Sequence, residues 1–114
     1  MAADALGRAF QALADPTRRG VVELLRRGDR RAGELAEALS VSPPALSRHL
    51  RILRASELVE EVAVEGDARV SLYRLRRAPF ARLRAWVDRV ETMWDEQLTS
   101  FAEHVERTRG RKKT

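Results

Sequence analysis

Apolar residues recur along the chain at helical spacing, broken by short polar and proline-containing clusters. Leu6, Phe10 and Leu13 predict a first helix over 4–14. Asp15-Pro16-Thr17 breaks it: Asp15 suits an N-cap, and Pro16 suits the first position of a new helix, where no amide hydrogen is needed. The second helix is predicted to reach Arg27, with Val21, Val22, Leu24 and Leu25 apolar, and to end at Gly28-Asp29. A short third helix is predicted over 32–39, with Leu35, Ala36 and Leu39 inward. Ser40-Val41-Ser42 is then a tight turn, and Ser42-Pro43 repeats the cap-and-proline signal. The fourth helix, 43–55, carries Leu46, Leu50 and Leu53 as its buried stripe.

Residues 58–65 alternate as a strand, with Leu58, Val62 and Val64 apolar and Val59 less regular. Gly66-Asp67 is the expected turn, and 69–75 alternates again, so the two segments predict a hairpin. From Ala78-Pro79 a long helix is predicted. Phe80, Leu83, Val87, Val90, Trp94, Leu98, Phe101 and Val105 follow steps of three and four, and Trp86 and Met93 widen the stripe. A helix of that span is about 40 Å long. A chain of 114 residues has too little else to cover the stripe. The same helix of a second copy, helped by the first helix, is the expected cover. The predicted dimer interface is therefore Leu6, Phe10, Leu13, Leu83, Trp86, Val87, Val90, Trp94, Leu98 and Phe101. The competing arrangement folds the last helix back on its own domain.

This order of elements is a mainly α fold with a small β-hairpin, a winged helix-turn-helix (α-α-α-α-β-β-α) forming a homodimer through its first and last helices. Residues 1–106 are expected to be one domain and 107–114 a basic, disordered tail.

Composition adds the partner. The formal net charge is +5, with 22 Lys and Arg against 17 Asp and Glu. Lys112 and Lys113 are the only lysines, so arginine dominance also fits the codon bias of a GC-rich genome. Placement is more informative. Residues 16–77 hold 13 basic and 9 acidic side chains, residues 78–106 hold 3 and 6, and residues 107–114 hold 5 and none. The middle of the chain thus suits a polyanion, and the acidic segment suits another task.

In a helix-turn-helix the second helix enters the major groove. Here that pair is 32–39 and 43–55. On the fourth helix Pro44, Ser47, Arg48 and Arg51 point away from the leucine stripe. Serine can donate or accept at a base edge, and arginine can fork onto guanine or pair with phosphate. Ser42 and Pro43, where that helix starts, complete its expected DNA-contacting set. Arg69, after the hairpin turn, is expected to touch phosphate or the minor groove. Arg18, at the start of the second helix, is placed with phosphate, or else on the plain surface.

The runs Leu13-Ala14-Asp15-Pro16-Thr17-Arg18-Arg19, Gly33-Glu34-Leu35-Ala36 and Val41-Ser42-Pro43-Pro44-Ala45-Leu46-Ser47-Arg48-His49-Leu50-Arg51-Ile52-Leu53, with Leu72-Tyr73-Arg74-Leu75, resemble the arsenical-resistance repressor (ArsR) family over residues 5–105. The resemblance implies a homodimeric repressor that releases DNA when an effector binds. It implies DNA contacts at Pro43, Pro44, Ser47 and Arg48. Three departures stand out. Prolines occupy positions that are often polar, Glu57 follows the fourth helix where the family usually has glycine, and Arg31-Ala32-Gly33-Glu34-Leu35 replaces the cysteine-bearing metal site. The chain therefore resembles the metal-independent branch with tryptophans in the last helix.

No cysteine is present, which excludes disulfides and thiolate metal sites. His104, with Asp95, Glu103 and Glu106 nearby, offers one imidazole, short of a zinc set. No metal or other cofactor is expected, and the residues name no effector. No glycine-rich phosphate loop occurs, and Ser47 and His49 diverge by about 200° on their helix, so no enzyme is expected. Residues 1–7 lack a basic start and an apolar run, and no stretch approaches the roughly 18 apolar residues of a membrane span. A cytoplasmic location is the expectation. The expected partners are double-stranded DNA, as an inverted-repeat operator upstream of the protein's own gene, and a second copy of the chain. The alternative from another class is a winged-helix protein–protein interaction module with non-specific DNA affinity.

Overall fold

A computed structural model describes residues 4–112. The chain divides into two units, up to Arg82 and from Leu83 onward, and each is described by itself. In the first, α1 (Ala5–Leu13) is capped by Asp4, whose carboxylate accepts from the Gly7 amide. It stops one residue short of the predicted end, because Ala14 turns its amide back to Gln11 O at 3.2 Å. α2 (Pro16–Arg27) starts on Asp15 as predicted, the carboxylate accepting from Arg18 N at 3.0 Å, and ends at Gly28 with φ 156°.

α3 (Ala32–Leu39) opens with the Glu34 carboxylate accepting from Arg31 N at 3.2 Å. It closes on Ser40, whose φ of 54° is left-handed. Ser40 N donates to Glu37 O and Val41 N to Ala36 O, the paired bonds of a Schellman ending made without glycine. α4 (Pro43–Ala55) follows at once. Leu35, Leu46, Leu53 and Leu58 are almost wholly buried, with Val21, Leu25 and Leu50 beside them. Each such side chain contributes about 1.5–3 kcal/mol relative to exposure. Gly20 leaves room for the Leu39 side chain of α3, since a Cβ there would stand 2.7 Å from Leu39 Cδ2.

β1 (Val59–Val64) and β2 (Asp67–Leu75) pair antiparallel as the predicted hairpin. Three details differ from the sequence reading. The turn is Glu65-Gly66, and Asp67 already pairs with Val64. Leu58 precedes the strand. Val59 is core, 2% exposed, because the left-handed Glu57 (φ 61°) swings both residues inward. The register runs Ala63↔Ser71 and then Val64↔Asp67, which leaves 68–70 in a bulge. The root of the hairpin is clipped to the loop after α2: Arg30 N donates to Tyr73 O at 3.2 Å, and Tyr73 N to Arg30 O at 2.8 Å.

α5 spans Arg77–Lys112. It begins one residue before the predicted start and continues through 107–112, which were expected to be disordered. Residues 113–114 of the expected tail lie outside the described residues. Among the described residues, no helix is long and apolar enough to cross a membrane.

Candidate nucleic-acid interface

The exposed face of α4 holds Pro43, Pro44, Ser47, Arg48 and Arg51, while Leu46, Leu50 and Leu53 are buried on the other side. This follows from the spacing: at about 100° per residue, Pro44, Ser47, Arg48 and Arg51 lie within a sector of about 100°. Ser42 is exposed and caps the helix, its Oγ accepting from Ala45 N at 3.3 Å. Its hydroxyl proton remains available to an acceptor. The guanidinium groups of Arg48 and Arg51 make no hydrogen bond or ion pair with another described residue.

The wing sorts its arginines into two kinds. Arg74 binds Asp29 Oδ2 through Nε at 3.3 Å and NH2 at 3.2 Å, and lies 4.0 Å from Glu60 Oε1. Arg76 lies 4.0 Å from Glu60 Oε2. Arg54, leaving α4, meets Glu61 at 3.0 Å, and Ser71 Oγ donates to the other oxygen of that carboxylate at 2.6 Å. These arginines are spent on holding the hairpin. Arg69 sits in the bulge, exposed; its backbone amide donates to Asp67 Oδ1 at 3.0 Å and its guanidinium is uncommitted among the described residues. Tyr73 is pushed above the usual phenol range by burial, reinforced by the negative charge of Glu61.

Arg18, expected on phosphate or else on the plain surface, is engaged within the chain. Its Nε donates to Ala12 O at 2.6 Å, NH2 to Gln11 O at 3.2 Å, and NH1 lies 3.3 Å from His49 Nδ1. His49 Nδ1 is also 3.7 Å from Asp15 Oδ2. The guanidinium thus closes the carboxyl end of α1 and reaches α4. Arg19 does similar work on Leu13 O and Ala14 O, at 2.9 and 3.0 Å. Sequence reasoning missed this cluster. Its only trace was an arginine three residues after a capping aspartate, and the distance to His49 is not visible in one dimension. The Arg18 amide hydrogen bond, aided by the positive charges of His49 and Arg18, holds the Asp15 carboxyl below its ordinary value against the opposing effect of partial burial.

Of the predicted interface residues, Leu6 and Leu13 on α1 are half-buried and Phe10 is 41% exposed. On α5, Leu83 is half-buried, while Trp86, Val87, Val90, Trp94, Leu98 and Phe101 are exposed, Trp94 at 61% and Phe101 at 67%. Met93 is exposed beside them. No group of three or more metal-ligating side chains occurs among the described residues.

The model of the bacterial regulatory protein, arsR family, matches residues 15–61. The chain is 43% identical over 99 residues to the HTH-type transcriptional regulator Rv2034 of Mycobacterium tuberculosis, covering 87% of each. It is 41% identical over 56 residues to the transcriptional repressor SdpR of Bacillus subtilis, across 49% of this chain and 62% of that protein. An ArsR-like transcriptional regulator from Rhodococcus superposes with a TM-score of 0.77 at 33% identity, over 90% of this chain and 91% of its own. The homodimeric winged helix-turn-helix DNA-binding domain of Mb0332 from Mycobacterium bovis superposes at 0.59 with 27% identity, over 83% and 82%. With these likenesses and the winged helix-turn-helix just described, the chain belongs to the ArsR family of transcriptional regulators.

Proposed function

We propose that the protein is a sequence-specific repressor that binds double-stranded DNA as a homodimer. One observation carries this reading. The arginines of α4 that face outward, Arg48 and Arg51, have uncommitted guanidinium groups among the described residues, whereas Arg18, Arg54 and Arg74 are held by carbonyls and carboxylates. α4 enters the major groove, with Ser47 and Arg48 on base edges and Ser42 and Arg51 toward the backbone. Arg69 at the wing meets phosphate or the minor groove. Arg18 serves by holding α4 against α1 and α2 rather than by touching DNA.

A second copy covers the apolar stripe of α5, with α1 contributing Leu6, Phe10 and Leu13. A two-fold dimer requires a two-fold operator, an inverted repeat whose half-sites lie about 34 Å apart, one helical turn. We place that operator upstream of the protein's own gene.

The test is a footprint on that upstream DNA at two salt concentrations. Protection of an inverted repeat that persists at moderate salt is the expected result. Diffuse protection that vanishes with salt would mean counterion-driven binding to any DNA. The exposed stripe reaching Phe101 would then favour the second reading, a protein–protein interaction module.

A further inference from the structure

We propose that Pro44 reads the 5-methyl group of thymine, so that the operator is chosen partly by an apolar contact where α4 opens. This rests on the DNA-binding reading above and assigns it a recognised group. A helix start ordinarily presents free amide donors to a ligand. α4 presents none from positions 43–46. Pro43 and Pro44 have no amide hydrogen, Ala45 N is taken by Ser42 Oγ at 3.3 Å, and Leu46 N donates to Ser42 O at 2.9 Å. Both prolines are nevertheless exposed.

Their positions differ. At about 100° per residue, Pro44 falls between Ser47, Arg48 and Arg51 on the outward face, each within about 60° of it, whereas Pro43 stands at the margin. The outward face therefore opens with a rigid hydrocarbon ring and continues with polar groups.

A pyrrolidine ring can neither donate nor accept a hydrogen bond. In the major groove the one base feature it can match is the thymine methyl. Over the amino group of cytosine or adenine it would strip water without replacing the lost bond. The ring thus favours thymine twice, by contact with the methyl and by rejecting the polar alternatives. It is already fixed in φ, so docking it orders little. Unmodified DNA carries that methyl only on thymine, and uracil is the same base without it.

The test is a single-position scan of the footprinted duplex, replacing each thymine of a half-site by deoxyuridine and measuring affinity by fluorescence anisotropy. For the wild-type protein, one or two positions are expected to lose about fourfold in affinity, the worth of one buried methyl. Pro44→Ala, shown folded by its thermal melt, keeps only a single methyl there and is expected to bind the thymine duplex more weakly, by up to about fourfold, and to show a smaller difference between thymine and uracil duplexes at that position. Specific binding by the wild type that is indifferent to every deoxyuridine overturns the proposal and leaves the repressor reading standing. A methyl effect that persists unchanged in Pro44→Ala also overturns it. Binding with no sequence preference overturns both.

Discussion

The guanidinium of Arg18 stands 3.3 Å from Nδ1 of His49, so one side chain joins the first turn of α2 to the middle of α4 while it also takes the Gln11 and Ala12 carbonyls that end α1. Three helices are tied at one point. Arg18→Ala is expected to cost about 1–3 kcal/mol of stability, read from the urea midpoint. Arg18→Lys is expected to recover little, because an ammonium cannot fork to three acceptors held in different directions. The salt dependence of DNA binding separates the two roles of this residue. As a tie between helices, its removal leaves the slope of log affinity against log salt unchanged. As a phosphate contact, its removal would lower that slope by about one.

Asp15 gives the same cluster a pH signature. Its carboxyl is held below the ordinary 3.8, chiefly by the Arg18 amide. A folded-state value below the unfolded one contributes stability that is fully present above pH 3.8 and is lost as the pH falls through the folded value. Asp15→Asn keeps a capping oxygen but removes the charge. It is expected to flatten the acid limb of the stability profile below pH 4, with a loss of no more than about 1 kcal/mol at neutral pH. Chemical denaturation at a series of pH values checks this.

Ser40 and Glu57 hold left-handed backbone with φ 54° and 61°. Glycine adopts that conformation without a Cβ penalty. Ser40→Gly and Glu57→Gly should each stabilise the protein by about 1 kcal/mol, a rise of about 4–8 °C in Tm for a domain of this size. A fall in Tm for both would show that the turn is relaxed with its present residues.

Arg48 and Arg74 are equally cationic and differently employed. Arg48→Ala is expected to weaken specific binding by about 1–3 kcal/mol, as the loss of the proposed base contact would. Arg74→Ala removes a bond to exposed Asp29, costs about 0–1 kcal/mol of stability, and leaves the affinity for DNA near wild type. Equal losses of affinity in the two variants would argue for a diffuse positive field.

Trp94 and Phe101 are 61% and 67% exposed in the single chain. Buried aromatic anchors in an interface commonly contribute on the order of 2 kcal/mol each. Trp94→Ala should therefore raise the dimer dissociation constant about thirtyfold in sedimentation equilibrium. The same variant should lose most of the advantage in affinity that the full repeat holds over a single half-site.

Much of the fold was legible because its signals are local. Asp15-Pro16 and Ser42-Pro43 mark helix starts through bonds that span three residues, and the leucines of α4 fall on one face by spacing alone. Glu57, which stands where the resembled family usually has glycine, is one of the left-handed residues. What escaped depends on distance through space. Val59 looked irregular because its burial follows from the bend at Glu57, not from strand alternation. Arg18 looked like a free cation because its acceptors lie six and seven residues back and 31 ahead. The offset of Arg69 from the strand ladder arises from a three-residue bulge that no composition rule announces.

The hairpin is clipped at its root and bulged near its tip. Its root shares two backbone bonds with Arg30, while 68–70 near its tip have no cross-strand partner. On the proposed reading, placing the wing beside DNA would demand no reorganisation of its base, and the entropy lost on docking would be confined to a few residues around Arg69. Such a wing tolerates small variations in groove width and phosphate position, because the tip adjusts while the root holds its direction. Fidelity would then reside in the helix that enters the groove, and adaptability in the loop that follows the backbone.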